Sequence, residues 1–154
     1  FHVPSLPDKR HLQFLHHLVV AMMRITGGNV YFDVGQEELF LSEDMEELLA
    51  EMHQEESWSC HVRVATQRIS DNEIRFVSKG LRKIGLPEFQ TETVPADEWS
   101  NVSATLWDYL EDVWEDSIYP SPKEYERMGS IYSVTCEKPD ADPIILKLFR
   151  RSVN

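Results

Sequence analysis

Long hydrophobic runs are missing from this chain. The nearest, Leu18 to Met23, is six residues long, against the ~18 that a membrane-spanning helix requires. No membrane contact is expected. The run sits inside a helical pattern and lacks the small-residue cleavage site of a secretory leader. Cysteine is scarce, with only Cys60 and Cys136. Two cysteines make no disulfide framework and allow at most one bridge, so a reducing cytoplasm is the expected setting. Basic side chains are outnumbered, 15 against 27 acidic ones, for a net charge of -12. A direct nucleic-acid ligand is therefore disfavoured, because phosphate binding rests on Lys and Arg. A basic protein partner is compatible with that charge.

Recognisable catalytic signatures are missing too. No Gly-x-Ser-x-Gly elbow occurs, and no Walker-type or dinucleotide-binding glycine pattern. Gly27-Gly28 follows a helical pattern, the wrong polarity for cradling phosphate at a helix N-terminus. Cys60 and His61 are adjacent on an expected strand and so face opposite ways. His16 and His17 lie about 100° apart around a helix, and His53 precedes Cys60 by seven residues. None of these has metal-ligand spacing. No metal and no cofactor is expected. Cys60 and Cys136 alternate with apolar residues and read as packing groups rather than nucleophiles.

What remains is the make-up of a globular α+β domain. The 154 residues are 42% hydrophobic, with four Trp, five Tyr and seven Phe. That is enough for one domain over 1–154 that folds without metal or disulfide. Phe1 stands where an initiator methionine would, which suggests a trimmed chain or a piece of a longer protein. No repeat of fixed period and no low-complexity segment is present.

Ser5-Leu6-Pro7-Asp8 carries helix-start chemistry. Leu12, Leu15, Val19 and Met22 form one stripe, and Phe14, Leu18, Ala21 and Ile25 a second. Together they predict a largely buried helix that ends at Thr26-Gly27-Gly28. Asn29 to Val34 and Leu39 to Leu41 read as a hairpin turning at Gly35-Gln36. Ser42 caps a second helix with Met45, Leu48, Leu49 and Met52 on its apolar face. Trp58 to Ile69, Ile74 to Lys79 and Glu88 to Val94 read as strands. Between the last two lies Gly80-Leu81-Arg82-Lys83-Ile84-Gly85-Leu86-Pro87, a joint bracketed by two glycines. A third helix starts at Pro95. Ile131 to Cys136 and Ile144 to Phe149 are the last strands. The order is α-ββ-α-βββ-α-ββ. Hairpin-length links predict a mainly antiparallel sheet with about three helices packed on it.

The third helix holds the candidate site. Asp108, Glu111, Asp112 and Glu115 fall at i, i+3, i+4 and i+7, one row on one face, flanked by Trp107 and Trp114. The row reads either as a solvated face or as a stripe that docks a basic partner.

The helix ending in Gly27-Gly28 before Asn29-Val30-Tyr31-Phe32-Asp33, and the Gly-Leu…Gly-x-Pro-Glu segment within Ile74 to Phe89, resemble a family of uncharacterised bacterial domains of unknown function. The resemblance spans about Leu12 to Leu110. It implies a small α+β module of the bacterial cytoplasm and transfers no site residue. Some small acidic domains of this look are immunity proteins that neutralise a toxin. The sequence thus favours a non-enzymatic interaction domain that binds a basic partner. The alternatives are an enzyme of unrecognised type, drawing on Glu88, His61 or Arg63 near the Gly80–Gly85 joint, or a regulatory or structural domain of a longer protein.

Overall fold

A computed structural model describes residues 9–52, 58–137 and 140–152. It is α+β. Among the described residues there are three α-helices, a two-stranded sheet and a seven-stranded sheet. The chain divides into two compact units, Phe1–Arg63 with Lys79–Gly85, and Val64–Ser78 with Leu86–Asn154.

The first unit is built from α1 (Arg10–Thr26), the hairpin β1 (Val30–Asp33) and β2 (Glu38–Leu41), and α2 (Ser42–Met52). The helix start expected at Ser5 to Asp8 lies outside the described residues. Helix α1 stops where the two glycines stand: Gly27 is left-handed at φ 69°, and its N–H and that of Gly28 both return to the Met23 carbonyl. Val19, Val20 and Met23 of α1 meet Met45 and Leu49 of α2, Cys60, and the inward rings of Tyr31 and Phe40. The expectation of a helix buried on both stripes is corrected. Phe14, Met22 and Ile25 are exposed, because the hairpin and α2 cover one side of α1 alone. On the covered side His16 is buried with Leu12 and Val19.

The second unit carries the large sheet, β3 (Arg63–Arg68), β4 (Glu73–Lys79), β5 (Phe89–Thr91), β6 (Val94–Pro95), β7 (Lys123–Arg127), β8 (Ser130–Glu137) and β9 (Ile144–Ser152). The spatial order is β3-β4-β5-β9-β8-β7, with β6 also on β4. This sheet is mixed, which corrects the expectation of a mainly antiparallel one. After β6 the chain runs through α3 (Trp99–Asp116) and the β7–β8 hairpin, and β9 then inserts beside β5, parallel to it. The chain order is α-ββ-α-ββββ-α-βββ. Two strands escape the sequence pattern. Strand β6 is only two residues long, and β7 reads Lys-Glu-Tyr-Glu-Arg, with a single apolar side chain. The turn into β8 uses Met128 and Gly129, both at positive φ, the backbone that a two-residue hairpin needs.

Trp58 to Cys60 is a one-turn 3-10 helix in place of the expected strand start. Helix α3 buries Val102, Leu106, Tyr109, Leu110, Val113 and Trp114 and packs on β7 and β8. Its start is tied to the sheet by Glu98, whose carboxylate accepts from the Tyr132 hydroxyl at 2.5 Å and from the Arg150 guanidinium.

Candidate functional site

The residues singled out in the sequence are not one uniform acidic row. Glu111 and Glu115 are exposed, whereas Asp108 and Asp112 are half-buried. Strand β7 claims both aspartates. Asp108 pairs with the Arg127 guanidinium. Asp112 takes the Lys123 ammonium at 3.2 Å and the Tyr125 hydroxyl at 2.5 Å. Burial and the Asp112 carboxylate push the Tyr125 phenol well above its ordinary range. Trp107 is exposed and Trp114 is buried, so the two tryptophans do not flank the row alike. Like charges at i, i+4 repel, and at Asp108 and Asp112 the cations of β7, an edge strand, offset that repulsion.

The residues of the enzymatic alternative are engaged structurally. Glu88 accepts a hydrogen bond from Ser78 at 2.6 Å. Arg63 donates to the Glu37 carbonyl. His61 is buried and stacks on His16, ring centres 4.7 Å apart. Cys60 and Cys136 are not joined in a disulfide. Among the described residues no group of three or more His, Cys, Asp or Glu is placed to hold a metal ion. His53 lies outside the described residues.

The joint between the two glycines builds a polar cluster inside the first unit. Leu81–Ile84 is one 3-10 turn, with Gly80 at φ 110° and Gly85 at φ 82° on either side. It delivers Lys83 to the tip of the β1–β2 hairpin. The Lys83 ammonium donates to Asp33 at 2.6 Å, to the Gln36 side-chain oxygen at 2.9 Å and to the His61 carbonyl at 3.1 Å. Asp33 also accepts the backbone N–H groups of Gly35 and Gln36. Burial, then the Asp33 carboxylate, pushes the Tyr31 phenol up to about 12. All three ammonium protons have acceptors. The cluster is a staple for the hairpin turn rather than a poised acid or base.

The hairpin held this way shows an apolar outer face. Register places Val30 opposite Leu41 and Phe32 opposite Leu39. All four are exposed, between 43% and 58%, while Tyr31 and Phe40 turn to the core. Val34, just past β1, is 77% exposed. A cavity of about 400 Å³ opens beside it, lined by Leu12, Leu15 and Val19 of α1 with Phe32, Val34 and Arg82. No family model, curated protein or solved structure matches this chain. A β-hairpin that turns apolar residues both inward and outward has more apolar surface than its own unit covers. Sequence reasoning missed this face because both sets of the alternation are apolar. Among the described residues no helix is long and apolar enough to cross a membrane.

Proposed function

We propose that this chain is a non-enzymatic protein-interaction domain that docks a basic protein through the outer face of the β1–β2 hairpin. The observation that carries the reading is the four-residue apolar face of Val30, Phe32, Leu39 and Leu41, exposed on both strands. A contiguous apolar patch on a soluble surface marks an interaction site. The net charge of -12 selects the partner's sign, since long-range attraction speeds encounter and rejects like-charged proteins. The exposed Glu111, Glu115 and Trp107 of α3 stay a separate proposed contact for a basic protein. The setting proposed is the cytoplasm.

The test compares the full chain with its F32E/L39E variant as bait. Proteins captured by the first and lost from the second are purified and titrated directly. The expected result is a basic protein whose Kd rises at least ~10-fold with the variant and also rises with salt. Identical capture by both baits, or a purified partner of acidic character, overturns the proposal. Sedimentation that finds a dimer of the chain, dissolved by the same variant, assigns the face to a second copy and overturns the basic partner.

A further inference from the structure

The described histidines, at positions 11, 16, 17 and 61, belong to the first unit, and the stretches that make up the second contain none. Two of them form one buried object. His16 is 2% exposed and His61 4%. Their rings stack at 4.7 Å with planes 21° apart. The Nδ1 atom of His16 is buried with no hydrogen-bond partner among the described residues. Lys83, whose charge acts on both rings, donates to the His61 carbonyl itself.

The groups facing the stack come from every side of the unit. Lys83 of the 3-10 turn acts on both rings, His17 of α1 acts on His16, and His11 of α1 on His61. Each of these disfavours a proton on the ring it faces. Asp33 of β1 is the carboxylate that favours one on His16, and it is already bound to Lys83 and to two backbone N–H groups. Two imidazolium ions stacked beside an ammonium, with one committed carboxylate, cannot be accommodated in a buried site.

We propose that the His16–His61 stack is an acid-sensitive clasp, whose protonation opens the first unit while the second stays folded. Burial, then the Lys83 charge, holds His16 down at about 4. Burial, then the charges of His16 and Lys83, holds His61 down at about 2. Both folded values lie below the ~6.5 of an unfolded histidine. The unfolded unit therefore binds more protons in this range. Its folding is undisturbed above ~6.5 and weakens as pH falls from there towards about 4, where His16 begins to charge in place. At about pH 5 each histidine lowers the folding equilibrium ~30-fold, and the pair together ~1000-fold. Carboxylates are still mostly ionised there, so the second unit is spared.

Hydrogen exchange on the full chain, read by mass spectrometry at about pH 7 and about pH 5 and corrected for intrinsic rates, tests this. The expected result is a ~1000-fold loss of protection in α1, α2 and β1, with α3, β8 and β9 unchanged. Equal losses in both units, or none in either, overturn the clasp. The H16F/H61F variant keeps stacked rings but carries no proton, and should lose the acid response. An acid response that survives in it overturns the proposal. Should that variant not fold, imidazole C–H resonances of the native chain decide: His16 and His61 silent above about pH 5 supports the clasp. A titration of either near ~6.5 in the folded protein overturns it.

Discussion

The Lys83 ammonium lies 2.6 Å from the Asp33 carboxylate, fifty residues away along the chain, and both side chains are largely removed from water. It is a buried ion pair of the first unit, and it joins the Gly80–Gly85 turn to the hairpin that shows the apolar face.

Removing one member of such a pair strands the other. K83M should destabilise the first unit by about 3–5 kcal/mol, because Asp33 keeps a buried charge without its cation. D33N/K83M removes both charges and should recover a large part of that loss. Urea unfolding, followed by exchange protection in α1 and β1, measures both. Equal loss in the single and double variants would mean that the pair contributes only as packing.

The glycines make separate predictions. A Cβ on Gly80 would stand 2.2 Å from the His61 carbonyl oxygen, at a φ of 110°. A Cβ on Gly27, at φ 69°, meets nothing within 4 Å. G27A should therefore cost only about 1 kcal/mol, the price of left-handed backbone. G80A should cost several times more, since backbone must move. Thermal melts of the two variants rank them. A Gly80 variant as stable as the Gly27 variant would contradict the close approach.

Pairing separates the four acids of the Asp108, Glu111, Asp112 and Glu115 row on α3. D108K/D112K places lysines against Arg127 and Lys123 and should lower the melting temperature. E111K/E115K changes two exposed residues and should leave it within a few degrees. The Tyr125→Phe change removes the hydrogen bond to Asp112 alone and should cost about 1–2 kcal/mol. Melts by circular dichroism check all three. Equal effects of the two double reversals would restore α3 as a uniformly solvated face.

Ser78 is a buried relay. It accepts the Phe89 N–H at 2.8 Å and donates to Glu88. S78A should destabilise the second unit by about 1–3 kcal/mol, since a buried N–H loses its acceptor. Exchange of the Phe89 amide, read by NMR, should accelerate with it. An unchanged Phe89 amide would mean that another acceptor replaces the serine.

Local chemistry was legible where the partner is close in sequence. Ser42 opens α2, Gly27 ends α1, and the alternation at Tyr132 and Val134 marks β8. The two-glycine joint was visible as a joint. The role of Lys83 was not, because its partners Asp33 and Gln36 lie fifty and forty-seven residues upstream. Helical spacing placed Asp108 and Asp112 on one face but could not say that a charged edge strand covers it. Strand β7 was hidden because a strand pattern needs apolar alternation, and here charges make the contacts. The acid row and β7 are two halves of one interaction that neither stretch announces alone.

The place of β9 bears on how the protein comes to exist. It lies between β5 and β8, so residues 144–152 are the strip that joins β3-β4-β5 to β7-β8. Until that strip has left the ribosome, the earlier strands wait as two separate ribbons, each with an open edge towards the missing one. Phe89 must find Ile144 across more than fifty residues, a long closure that slows assembly. Nascent chains halted before residue 144 should be the ones that chaperones hold. The large sheet is thus closed by its last strand, whichever ribbon forms first.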